Sequence, residues 1–126
     1  MISVSFHSEE DYVAEFGFAA PILAGKADAW RKAVEEIKGP RNAAYKESRR
    51  KLGITREHVT LQSTPMGDMV VVHMDAPDQQ QVMRAMMQST SDFDTWFRDT
   101  VLVGVHGFDP KAAPPSPGTV MLDHKG

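Results

Sequence analysis

The chain has 126 residues, 41% hydrophobic and 25% charged, with a formal net charge of −3 and no cysteine. That size and mix describe a single soluble domain able to bury a core. The acidic balance argues against nucleic acid as a partner, and the missing cysteines exclude disulfides, thiolate nucleophiles and Cys-ligated metals. No apolar run approaches the roughly 20 residues of a membrane span, so no membrane partner is expected. The first ten residues lack a basic region and an apolar run of signal type, and a cytoplasmic location fits best.

Residues 1–14 read as an N-terminal extension. Ile2, Val4 and Phe6 alternate and an acidic Ser8-Glu9-Glu10-Asp11 follows, so the segment is either a disordered leader or an extra edge strand. The domain proper spans 15–126. Phe16 to Leu23 is the first core strand, with Phe16, Phe18, Ala20 and Ile22 on one face and Pro21 suited to an edge or a strand end. Residues 26–52 carry the strongest helical period: Ala27, Trp30, Val34 and Ile37 recur at spacings of three and four. Gly39-Pro40 should kink or divide that helix, and Pro40 also suits the first position of a new one. The stripe resumes with Ala44 or Tyr45, Ser48 and Leu52, and Gly53 supplies a left-handed stop with Ile54 as its hydrophobic contact.

Residues 58–75 form a hairpin by strict alternation. A turn centred on Met66-Gly67 would place Ser63 opposite Val70, Leu61 opposite Val72 and Val59 opposite Met74 on an apolar face. The reverse face would then pair Thr64 with Met69, Gln62 with Val71, Thr60 with His73 and His58 with Asp75. Met69 and Val71 put apolar bulk among polar groups there, which suits a pocket or an interface better than open water. Asp75-Ala76-Pro77-Asp78 opens a helix with the stripe Val82, Met83, Met86, Met87 as core filler. Ser91 with Asp94 is close to a capping box for a further helix carrying Phe93, Trp96, Phe97 and Val101. That helix is taken to end near His106 with Gly107 as its stop, although its β-branched tail also suits a strand. Residues 109–118 are a proline-rich connector, and Thr119 to Asp123 a last short strand.

Several groups have plain structural readings. Arg41, Lys46, Arg49, Arg50 and Lys51, alternating with Glu47 and Glu57, read as a solvated helix face. Asp92, Asp94 and Asp99 read as complements to a helix N-terminus. The five histidines show no metal-ligand spacing, and no metal is expected.

The element order β-α-β-β-α-β defines an α+β, ferredoxin-like fold with an antiparallel sheet and helices on one face. The Trp30 helix, the Leu52-Gly53-Ile54 exit, the Gln62-to-Asp75 hairpin and the Asp92-Phe-Asp-Thr-Trp-Phe97 helix start resemble the dimeric α+β-barrel superfamily. That superfamily includes small stand-alone proteins similar to antibiotic-biosynthesis monooxygenases and to EthD. The resemblance implies a homodimer whose sheets meet face to face around a cavity for a hydrophobic small molecule; the proline-rich connector and final strand depart from the shortest members and would reach across to a partner subunit. His73 would be the catalytic base, and His58, Thr60, Gln62, Val71 and Trp96 would contact substrate. A cofactor-independent monooxygenase-like reaction needs no cofactor, and haem-using members supply haem as the alternative. The competing reading is a non-enzymatic dimerisation or ligand-binding module.

Overall fold

The computed structural model describes residues 14–112 and 117–126. Residues 1–13 of the extension read at 1–14, and the middle of the proline-rich connector, lie outside the described residues, and Ala14 already belongs to the first strand. Strand β1 (Ala14–Pro21) is followed by helices α1 (Ala27–Lys38) and α2 (Asn42–Leu52). Strands β2 (Arg56–Thr64) and β3 (Gly67–Ala76) form the hairpin, and α3 (Gln79–Gln88) and α4 (Asp92–Phe97) come after it. α4 runs on as a π-helical segment, Arg98–Val103. Among the described residues no helix is long and apolar enough to cross a membrane.

The sheet is antiparallel with the order β1-β3-β2, so β3 is central and β1 and β2 are edges. Pro21 closes the edge strand β1, where its missing N–H removes little. Phe16, Val70, Val72, Met74 and Ala76 are buried on one face and pack with Val82, Met86 and Leu102 from the helices.

The expected α+β class and antiparallel sheet are present, but the fourth strand is not. Residues 117–126 form no strand. Gly118 N–H donates to Gly17 O on β1 at 2.6 Å, and Val120, Met121 and Leu122 stay exposed. A segment that buries none of its apolar side chains has nothing to offset the cost of ordering its backbone.

The hairpin register also differs. The turn lies on Pro65-Met66, with Thr64 opposite Gly67, which has φ +120°. Thr64 Oγ1 fixes it, donating to Gly67 O at 2.6 Å and accepting from Met66 N–H at 3.2 Å. His58 therefore faces His73, Thr60 faces Val71 and Gln62 faces Met69, rather than Asp75, His73 and Val71. The shift is two residues, and with a side-chain period of two both faces keep their membership.

Helix boundaries follow local chemistry. Gly39-Pro40 divides α1 from α2, and Asn42 Nδ2 donates to the Ile37 carbonyl across the break. Pro40 precedes the cap residue Arg41 instead of opening α2. Gly53 has φ +78°, and Ile54 N–H reaches back to Arg49 O while Gly53 N–H reaches Arg50 O, the paired bonds of a Schellman stop. Gly53→Ala is expected to cost about 1–2 kcal/mol, because a Cβ is disfavoured in the left-handed region. A urea titration with an unchanged midpoint would refute that. Asp78 Oδ1 caps α3 by accepting from Gln80 and Gln81 N–H, and Ser91 Oγ caps α4 by accepting from Asp94 N–H. The tail of α4 is helical, not a strand, and Gly107 at φ +73° ends it.

Candidate functional site

The two faces of the sheet carry two different clusters. On the outer face, β3 places His73 between Gly17 of β1 and His58 of β2. His73 Nε2 lies 3.1 Å from Asp75 Oδ1, and both side chains are half-buried. Thr60 and Ala19 flank Val71, and Gln62 flanks Met69. The sheet thus gathers His58, Thr60, Gln62, Val71 and His73 on one surface, with Thr60 no longer opposite His73. Trp96 lies elsewhere, in the aromatic cluster of α4 beside Phe93, with the Arg41 guanidinium 4.0 Å from its ring centre. The register adds one feature that linear spacing hides. Glu15 sits opposite Asp75, and the donor atoms of Glu15, His73 and Asp75 all lie within 4.8 Å of one another.

A partly open cavity lies on the other side, between the sheet and the helices. This cavity holds about 160 Å³ and is lined largely by apolar side chains, among them Phe18, Val70, Val72, Trp30, Met83 and Met86. Tyr45, Arg49, Glu57 and His106 also reach it. The helical period explains the first two: Tyr45, Ser48, Arg49 and Leu52 fall at i, i+3, i+4 and i+7, so the inward stripe of α2 includes an arginine. Strand alternation explains Glu57, which shares its face with Val59 and Leu61.

These groups form a fixed chain. Tyr45 Oη–H donates to Glu57 Oε1 at 2.7 Å and Arg49 Nε–H donates to the same oxygen at 2.8 Å. Arg49 Nη1 donates to Ser48 Oγ at 3.2 Å, and Ser48 Oγ–H donates to Asp94 Oδ1 at 2.5 Å. Ser89 Oγ–H donates to the other Asp94 oxygen at 2.6 Å. The Arg49 and Glu57 side chains are only 6% and 8% exposed. The guanidinium carbon lies 4.7 Å from the Phe97 ring centre and 4.9 Å from that of Tyr45. Arg49 Nη2 is buried and has no hydrogen-bond partner among the described residues.

Electrostatics follow from burial and these partners. Burial, then the Glu57 charge, pushes the Tyr45 phenol up to about 12, so it acts as a donor. Burial pushes the Asp94 carboxyl up, but the hydroxyls of Ser48, Ser89 and Ser91 and the Arg49 charge outweigh it and hold the group below its ordinary value. The solvated reading of the basic run is therefore corrected. Lys46, Arg50 and Lys51 are exposed, but Arg49 is core. Asp94 is buried as well, near the start of α4. A sequence signal existed in both cases: an acid at position 57 in register with apolar strand residues, and an arginine four residues after Tyr45.

His106 lines the cavity from the end of the π-helical segment. There Gly104 N–H bonds to Asp99 O and His106 N–H to Val101 O, five residues back, and such wide turns often accompany functional sites. Gly104 suits the tight geometry, since a Cβ on it would stand 2.6 Å from Thr100 O. His106 Nδ1 lies 2.8 Å from Pro21 O; a carbonyl only accepts, so the ring proton sits on Nδ1 and Nε2 keeps its lone pair. Burial lowers the pKa of His106 below the ordinary 6.5, against the opposing effect of the Pro21 bond. A histidine held neutral in the fold makes unfolding easier in acid, because the unfolded chain takes up its proton first. Stability is expected to fall as pH drops from 6.5 to the lowered folded value. His106→Asn, which keeps a donor for Pro21, should flatten that part of a stability–pH curve, and an unchanged difference between pH 7 and pH 5 would contradict it.

The cavity therefore offers a largely apolar volume with one imidazole held toward its neutral form in its wall. No protein-family model, curated protein or solved structure matches this chain.

Proposed function

We propose that this chain is a small-molecule-binding protein whose ligand, apolar and about the size of a single ring, occupies the cavity between the sheet and the helices. The observation that carries this reading is a largely apolar space of about 160 Å³ between the sheet and the helices, with Tyr45, Arg49, Glu57 and His106 in its wall. An engineered apolar cavity of about 150 Å³ in another protein takes benzene, so the volume is adequate.

An enzymatic version, monooxygenase-like and independent of cofactors, assigns the base to His106, whose Nε2 lone pair is available, rather than to His73 on the far side of the sheet. The test is titration of the labelled protein with single-ring compounds, followed by amide and methyl NMR. Saturable shifts are expected at Val70, Val72, Met83 and Met86. Shifts confined to the outer face, or none at all, would remove the reading.

A second reading, a homodimerising module, has its own observation. Val71 remains 37% exposed beside half-buried Met69 and His73 on the sheet face turned away from the helices. Native mass spectrometry decides it: a dimer supports self-pairing through this face, and a monomer at all concentrations excludes it.

A further inference from the structure

We propose that Glu15, His73 and Asp75 form a binding site for one divalent transition-metal ion of the zinc type, on the sheet face turned away from the helices. The site lies across the sheet from the cavity and does not depend on the small-molecule reading.

Strand geometry brings the three side chains together. His73 and Asp75 are two residues apart on β3, so they leave the strand on the same face. Glu15 of β1 stands opposite Asp75 and shares that face. The Asp75 carbonyl accepts from Thr55 N–H on the β2 side, so Asp75 turns its backbone bonds away from β1. Glu15 and Asp75 are therefore a non-hydrogen-bonded pair, the arrangement in which Cα atoms approach to about 4.5 Å and facing side chains are closest. The ligand-type atoms of Glu15, His73 and Asp75 all lie within 4.8 Å of one another. Donors held about 2.0–2.2 Å from one zinc ion lie at most about 4.4 Å apart, so small side-chain rotations complete the set.

Charge supplies the reason for an ion. Like charges directly opposite on paired strands are unfavourable, and two carboxylates meet here at the closer of the two spacings a sheet offers. Arg56 is opposite Asp75 on β2, yet among the described residues no Lys or Arg nitrogen comes within 4.0 Å of the Glu15 or Asp75 carboxylate. The one charged or polar partner in contact is His73, whose Nε2 lies 3.1 Å from Asp75 Oδ1. A dication between the carboxylates turns their repulsion into attraction and takes that imidazole nitrogen as a third ligand. One imidazole with two carboxylates suits zinc better than magnesium or calcium, which take oxygen ligands.

The site is also reachable. Gly17, opposite His73, has no side chain to cover the ring. A cleft over the three residues is walled by the C-terminal segment through Val120, Leu122 and Asp123. It leaves the remaining coordination positions to water, as in other sites with three protein ligands. Asp123 adds a further carboxylate to the cleft wall; Lys125, 3.8 Å from it and also in the wall, offsets part of that charge.

The test is calorimetric titration of the untagged full chain with zinc chloride near neutral pH, repeated on Glu15→Gln, Asp75→Asn, His73→Ala and His58→Ala. One equivalent is expected to bind. Each of the first three substitutions should weaken binding by at least about tenfold, since loss of a residue that merely orients a ligand already costs about 10–100-fold. His58, opposite His73 on β2, is the histidine most able to divert the ion, and His58→Ala should bind like the wild type. Glu15 is exposed, so Glu15→Gln keeps the fold and decides the matter even if a β3 variant unfolds. Substoichiometric manganese(II) should broaden the amide NMR signals of Gly17, His73 and Asp75 first. Absence of saturable zinc binding would overturn the proposal. Binding unchanged in Glu15→Gln, or lost in His58→Ala, would overturn it by assigning the ion to histidines alone. Broadening centred on His106 or His124 would overturn it by placing the ion elsewhere.

Discussion

Arg49→Leu is expected to destabilise the fold by about 3–5 kcal/mol, the usual cost of removing one partner of a buried ion pair. The reason is what stays behind. Glu57 would remain almost fully buried with Tyr45 as its one hydrogen-bond donor of the two it now has, and Asp94 would lose its nearby cation. The aromatic cage of Tyr45, Phe93 and Phe97 would also lose the guanidinium that packs among its rings. Adding Glu57→Gln removes the stranded charge and keeps an acceptor for Tyr45, so the double variant should recover much of the loss. Chemical denaturation of the wild type, both single variants and the double variant measures this. Additive losses, with no recovery, would mean that the ion pair is not what holds α2 on β2.

Ala33→Leu is expected to separate stability from ligand binding. Ala33 is buried on α1 and lines the cavity. Three added carbons gain about 0.8 kcal/mol each when they enter apolar space, and overpacking costs about 1–3 kcal/mol, so the net change in stability should stay within about 1 kcal/mol. Binding of ring-sized probes should vanish, because the added side chain takes the space that they need. A variant that folds and binds such probes as tightly as the wild type would place the binding site outside the cavity. Equilibrium denaturation and the NMR titration read the two effects separately.

Local chemistry was legible wherever neighbours in sequence are neighbours in space. Gly53 as a left-handed stop, Ser91 as a cap, the helix start after Asp75-Ala-Pro-Asp78, the break at Gly39-Pro40 and the apolar stripe of α3 all depend on residues within a turn of one another. The membership of each face of the hairpin was equally secure, because it depends on parity alone and survived a two-residue change of register. Pairings that required the turn to be placed, such as Thr60 with His73, did not survive. The strand expected at Thr119 to Asp123 did not form, since its alternation supplied propensity but no buried surface.

The candidate site divides along the same line. Composition and local pattern determined an α+β domain without thiol chemistry, and a sheet with one apolar face and one mixed face. They directed attention to the mixed face, where His73 and His58 stand out because histidine in a strand is conspicuous. Only the tertiary structure decided that the cavity lies behind the apolar face. Its polar groups come from α2, β2 and the end of the π-helical segment, which are distant in sequence. Arg49 looked like one more cation in a basic run. Whether such a residue is solvated or buried depends on which strand lies beneath the helix and whether that strand offers a carboxylate, and here β2 offers Glu57. A linear pattern reports the angle at which a side chain leaves its own helix, but the charge that waits for it is a property of packing.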